Sequence, residues 1–458
     1  MMRRVANPTI GLVDEDAATS AAAHVLDTPG ADGIEVVILA SNIGVTRYAR
    51  SEIIQNIVRR EVRAFIRAVV GNKTATATTN QLDPESLARA AARAVEGAEA
   101  SRPDDEWPGL PTAAETGRPQ PLWKWDEPTA AADPSDRASA VEDLLAIAGD
   151  NAAGVYETSS HSYGVFSSTG VRCFDAHTRS VVTCLVDKGG ATGWGEDSSH
   201  EFGSLDITGA ARRAVSKASA GRALGDLTPG EYEVVLEPSA VATLLDYLSY
   251  VGFGAKQVIE GESFLASRAG EKVGAPNVTV ADDASHPYSI GIGFDFEGVA
   301  KRRVAVIDKG TATGPVTDRR TAKVLKRPVT GHNSGSNEFG PYAANVVMEG
   351  GDASAQSLIA GVESGLLVTR FHYVNVLDRP ATLLTGMTRD GTFRIKDGEV
   401  AEPVHNLRFT QSVLDVLGSV KAVGRDLHSF AFEWGSFGST VAPGLRVGSF
   451  RFTSTTSH

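Results

Sequence analysis

The stretch IEVVILASNIGVTRYAR, residues 34–50, decides the fold class. Its Val, Ile, Thr and Tyr content belongs to a strand, because β-branched and aromatic side chains fit a pleated, half-buried surface. Asn42-Ile43-Gly44 predicts a break part-way along it. Strand character resumes at Ile53 and runs to Thr79 through EVRAFIRAVV, a Gly71-Asn72 turn and TATATTN. The region therefore reads as an antiparallel meander.

Helical signals flank this sheet. Asp16–Leu26 is Ala-rich. A second helix begins where Asp83 can cap and Pro84 suits the first helical position, and Leu87, Ala91, Ala94, Val95 and Ala98 then share one face. Between Pro103 and Pro134 lie seven prolines and three of the five tryptophans, a composition that predicts neither helix nor central strand. It is expected to wrap an edge of the domain, with Trp107, Trp123 and Trp125 as anchors.

Helices over 135–148 and 207–218 bracket the strand pair VYETSSHSYGVFSSTGVRCFDAHTRSVVTCLVD, with its turn at Thr169-Gly170. The Gly-rich GRALGDLTPG, residues 221–230, marks the expected domain boundary. Beyond it, EYEVVLEP predicts a strand, and Pro238 opens a helix with Val241, Leu244, Leu245 and Leu248 on one face. Short strands follow, with helices near 318–325, 353–363 and 411–420. The expectation is an α+β chain of two domains: helices on a largely antiparallel sheet over 1–225, and a β-rich, barrel-like domain over 226–458.

Composition narrows the function. The 458 residues carry 44 basic and 56 acidic side chains, a net charge of -12, which disfavours nucleic acid as a partner. Arg59, Arg60, Arg63 and Arg67 do not overturn this, since apolar positions interleave with them. With only Cys173 and Cys184 there is no disulfide scaffold, and a reducing cytoplasm is the expected location. No apolar run approaches the ~18 residues of a membrane span, and the N-terminal arginines have no apolar segment behind them, so neither an anchor nor a signal peptide is expected. The 47 glycines fit many turns and much sheet.

Most motif candidates fail on chemistry. Cys173-x3-His177-x6-Cys184 lacks the fourth ligand and tight pair of a zinc site, so buried cysteines on neighbouring strands are the plainer reading. His200-Glu201 starts like a metalloprotease helix, but no histidine follows at 204 or 205. There is no G-x-S-x-G elbow and no phosphate-binding GKS or GKT. Two histidines remain: His332 in the polar loop TGHNSGSNEFGPYAAN, and His372 on the strand GLLVTRFHYVNVLD beside Arg370 and Tyr373. These four are the candidate substrate contacts.

The order and spacing of RYARSEIIQN, GNKTATATTNQLDPESLARA, GLLVTRFHYVNVLD, LLTGMTRDGTFRIKDGEV, PVHNLRFTQS and STVAPGLRV make the chain resemble the TldD/TldE (PmbA) metallopeptidase family from near residue 10 onward. In that family the catalytic TldD type carries His-Glu-x-x-x-His on the helix after an EVVLEP-type strand, with a later cysteine completing the zinc site. Here the helix reads LLDYLSYV, which puts Asp246, Tyr247 and Val251 at those positions. Val251 cannot bind metal, and tyrosine is a poor base near neutral pH.

The resemblance thus points to the TldE branch. It implies a cytoplasmic subunit without catalytic residues or metal of its own, with zinc held by a TldD-like partner. The assembly would take extended or unfolded peptides into a chamber, degrading them or trimming leader segments. An autonomous peptidase built around His332 and His372, a peptide-binding protein without hydrolysis, and self-association are the alternatives.

Overall fold

The computed structural model describes residues 12–220, 224–431 and 437–455. The first residues of the expected boundary segment, 221–223, and the N-terminal residues 1–11 lie outside the described residues.

Among the described residues the first sheet contains β1 (Gly33–Ala49), β2 (Glu52–Val70), β3 (Lys73–Thr79), β4 (Ala152–Ser167), β5 (Arg172–Asp187) and β6 (Thr192–Ser199). Their order is β3-β2-β1-β4-β5-β6, antiparallel throughout. The expected meander is therefore present, but β1 has no break. It pairs along its length with β2 and, from Glu35 to Tyr48, with β4. Gly44 serves a different purpose: a Cβ there would lie 2.3 Å from the guanidinium of Arg137, which is fully buried. The missing side chain makes room for a buried cation.

Helices cover this sheet through alanine-rich faces. Ala18 and Ala22 of α1 (Glu15–Ala23), with Leu87, Ala91 and Ala94 of α2 (Pro84–Ala100), bury against Val36, Ile38 and Ile66. The Asp83 side chain accepts from the Ser86 N–H, which supplies the cap that sequence predicts. After the short α3 (Glu127–Ala131), α4 (Pro134–Ala148) and α5 (Ile207–Ser219) pack against Tyr156 and Val182. Close approach of α5 to β6 depends on glycine, since a Cβ on Gly195 would lie 2.0 Å from the Ala210 carbonyl.

The Pro/Trp segment does wrap the sheet, held chiefly by its backbone. Fully buried Asp175 accepts N–H groups of Leu122 at 2.9 Å and Trp123 at 3.1 Å, and also that of Gly293 at 2.9 Å. One carboxylate thus ties the wrap, β5 and a segment of the second half together. Trp125 packs on the core, whereas Trp123 is 39% exposed with its ring beside Phe174.

The second half contains β7 (Gly230–Leu236), β8 (Val280–Asp282), β9 (Val304–Asp308), β10 (Thr311–Ala312), β11 (Asn345–Met348), β12 (Ser364–Asp378), β13 (Leu383–Lys396), β14 (Glu399–Pro403), β15 (Leu407–Ser412), β16 (Val420–Val423), β17 (His428–Ala431), β18 (Ser439–Ala442) and β19 (Leu445–Thr455). β12, β7, β19, β15 and β13 close into a five-stranded barrel through the β12–β13 pairing. A second sheet runs β10-β9-β8-β11-β18-β17. Between them lies α6 (Pro238–Gly252), whose Val241, Leu244, Leu245 and Leu248 join one core with Phe371, Phe409 and Phe450. Each such side chain stabilises the fold by roughly 1.5–3 kcal/mol through burial. The expected helices at 318–325, 353–363 and 411–420 form as shorter segments, Arg319–Leu325, Ala355–Ala360 and Val413–Gly418. No helix among the described residues is long and apolar enough to cross a membrane.

Candidate functional site

α6 holds the three positions, Asp246, Tyr247 and Val251, at which the family resemblance would place zinc ligands and a base. All three point into packed protein. Asp246 is 6% exposed and its Oδ1 accepts the Thr440 hydroxyl from β18. The Tyr247 hydroxyl donates to the Val374 carbonyl of β12 at 2.5 Å. Val251 is fully buried and offers no donor atom.

A zinc ion needs about four N, O or S ligands converging at ~2.0–2.3 Å, one or more of them His or Cys in most sites. One carboxylate already bonded to a threonine, a phenol bonded to a carbonyl and a valine do not compose such a set. Both cysteines lie on the same strand, β5, rather than on neighbouring ones, and both are buried. Burial pushes the Cys173 thiol up to about 12 and the Cys184 thiol up to about 11, so both remain protonated at neutral pH.

His332 is buried in its polar loop. Its Nε2 lies 2.9 Å from Asp282 Oδ1, and its Nδ1 lies 2.9 Å from the Thr330 hydroxyl. Asp282 also accepts the Asn345 N–H at 2.8 Å. Burial pushes the Asp282 carboxyl up, but His332 and Lys301 outweigh it and hold it below the usual range. Next to this pair, Asp295 accepts the N–H groups of Asn333, Val299 and Glu297. Burial raises both the Asp295 and Glu297 carboxyls. His332 thus anchors its loop to β8.

Arg370, His372 and Tyr373 share β12. Arg370 donates to Asp390 through Nε at 2.8 Å, and its guanidinium lies 3.9 Å from the ring centroid of Trp194 on β6. The His372 ring contacts that of Tyr373 at 4.4 Å. Burial, then the nearby Arg389 and Arg370, depress the His372 pKa. Tyr373 stands 71% exposed at a bulge, with φ of 50°. These three form a local surface group, whereas the bonds of His332 run to Asp282 and Thr330 instead.

Sequence reasoning missed Asp282 and Trp194, which meet their partners only across 50 and 176 residues of chain. No local spacing signals such contacts. It also missed His161, buried on β4, whose ring stacks at 4.9 Å on that of His177, the β5 histidine of the Cys-His-Cys pattern. Among the described residues no three His, Cys, Asp or Glu side chains cluster as metal ligands.

Models of the PmbA/TldA metallopeptidase family match this chain twice: domain 1 over residues 35–98 and the C-terminal domain over residues 229–454, together more than half of it. The chain belongs to the PmbA/TldD family. Among curated relatives, a metalloprotease of Methanothermobacter thermautotrophicus is 26% identical over 47% of this chain and 47% of its own length. A zinc metalloprotease TldD homolog of Saccharolobus solfataricus is 24% identical over 43% of this chain and 44% of its own. The chain therefore spans about half the length of the curated relatives it matches. The crystal structure of TldE from Thermococcus kodakarensis covers 96% of this chain and 99% of that one, with a TM-score of 0.82 at 21% identity. That likeness establishes a shared PmbA/TldD fold.

Proposed function

We propose that this chain is a non-catalytic, metal-free subunit of a TldD/TldE-type zinc metallopeptidase assembly in the cytoplasm. Its partner is a TldD-like chain that holds the zinc, and the assembly degrades extended or unfolded peptides or trims leader segments from peptide natural products. The observation that carries this reading is the state of α6: Asp246 is bonded to Thr440, Tyr247 to Val374, and Val251 is packed in the core. Each position the catalytic chemistry would need is committed to holding the fold.

Association with another chain draws support from β2. Among the described residues Glu52–Arg63 pair with β1 on one side only, because β3 begins its pairing at Ala64. Exposed Ile54, Ile57 and Val58 line that open stretch, and an unpaired edge is a template for a further strand.

The test is elemental analysis and peptide hydrolysis by the lone chain and by its mixture with a TldD-like chain carrying the intact His-Glu-x-x-x-His element. The expected result is no stoichiometric zinc and no hydrolysis alone, with cleavage in the mixture. One tightly held zinc per chain, or cleavage by the lone chain, would establish an autonomous peptidase instead. Peptide binding with no cleavage in any mixture would make it a binding protein.

A further inference from the structure

A cleft of about 210 Å³ opens where the first sheet meets the barrel, away from the buried middle of α6. β6 and α5 form one wall, and the start of α6, the helix Ala355–Ala360 and β17 form the other. Its apolar surface comes from Trp194, Pro238, Leu358, Ile359 and Phe430.

Two polar atoms in this wall have no partner among the described residues. The Thr369 hydroxyl is buried on a residue 1% exposed, and the indole Nε1 of Trp194 is buried although Arg370 covers the ring face. A buried donor left unmade costs about 1–3 kcal/mol, so a ligand that satisfied these two atoms would gain by doing so.

The charges choose the ligand's sign. Both cations of the cleft are already engaged: Lys217 with Glu237 at 2.5 Å, and Arg213 with Asp206 at 3.1 Å. Among the described residues Asp426 pairs only with its exposed neighbour Arg425, at 3.6 Å. Glu196 enters no ion pair among the described residues. The free charge is negative, so the cleft favours a cation attached to an apolar body.

We infer that this cleft binds the amino-terminal residue of a peptide: an apolar side chain against Trp194 and Ile359, the α-ammonium toward Glu196, and the first carbonyl accepting from Trp194 Nε1. The Thr369 hydroxyl would complete the polar contacts. The choice of a peptide rests on the function proposed above, but the test uses binding rather than hydrolysis, so the two readings can fail separately.

The experiment is calorimetric titration of the full chain, alone, with Leu-Ala-Ala, N-acetyl-Leu-Ala-Ala and Leu-Ala-Ala amide. Leu-Ala-Ala and its amide should bind alike, and acetylation should weaken binding about tenfold or more, the worth of one charge-assisted hydrogen bond. Glu196→Gln should reproduce that loss for the free-amine peptide, and Thr369→Val should weaken it to a lesser degree without lowering the melting temperature. Equal binding of the acetylated peptide, loss on amidation instead, or no saturable binding by Leu-Ala-Ala would each overturn the inference. The peptide comparison uses the unaltered chain and so does not depend on any variant folding.

Discussion

The Thr440 hydroxyl donates a hydrogen bond to the Asp246 carboxylate, joining α6 to β18 inside the C-terminal core. A position that the chain's resemblance aligns with a metal ligand is thereby used as a structural tie. Thr440→Val keeps the volume but leaves a 6%-exposed carboxylate short of one donor. The expected loss is about 1–3 kcal/mol of unfolding free energy, read from urea denaturation near neutral pH. An unchanged midpoint would mean that the bond contributes nothing net.

A pH dependence follows from the stacked imidazoles of β4 and β5. Burial, then His177 and Arg179, hold the His161 pKa well below the usual value. The folded protein therefore requires neutral His161, whereas the unfolded chain takes up a proton near pH 6.5. Stability from this residue is full above that pH and declines as pH falls below it, by up to about 1.4 kcal/mol per pH unit. Asp175, pushed up to about 6 by burial, works in the opposite direction, because its charged form is the disfavoured one. The comparison must therefore be differential: between pH 7.5 and 5.5 the wild type should lose about 1 kcal/mol more than His161→Phe. Parallel losses would show that His161 is protonated without cost in the fold.

Gly44 shows how far the sequence could be read. The β-branched run around it identified β1, and helix-capping signals such as Asp83-Pro84 placed α2, because both rest on neighbours in sequence. Asn42-Ile43-Gly44 misled, since the reason for that glycine is Arg137, 93 residues away and fully buried. The barrel and the second sheet could be anticipated only as strand-rich chain, because β7 pairs with β12 and β19 across more than 100 residues. The same holds for the site: the partner that places His332 in the core is Asp282, 50 residues away in the chain.

Gly44 also matters for stability, because Arg137 fills the space its missing side chain leaves. Gly44→Ala puts a Cβ 2.3 Å from the Arg137 guanidinium, which also donates to the Ala132 carbonyl at 3.0 Å and to the Thr158 hydroxyl at 3.2 Å. Backbone strain is not involved, as β1 stays extended here. Overpacking of this kind costs about 1–3 kcal/mol, visible as a lowered denaturation midpoint. Arg137→Met in the Gly44→Ala background should recover part of it, because the linear side chain can yield. Additive losses would place the damage elsewhere.

The open edge of β2 is the surface most suited to another chain. Ile54 is 65% exposed and Ile57 46%, on a stretch whose outer side has no strand partner among the described residues. Single exposed apolar residues are ordinary, but a run of them on an unpaired edge marks a surface that pairs with another chain. Lysine is the residue that natural edges use to prevent such pairing. The double substitution Ile54→Lys, Ile57→Lys should leave the unfolding free energy of the isolated chain within about 0.5 kcal/mol, since neither side chain contributes to the core. Co-purification with a TldD-like chain should fall sharply, and so should any self-association seen in native mass measurement. A complex that survives both substitutions with undiminished affinity would move the interface off β2 and leave the edge without a role in assembly.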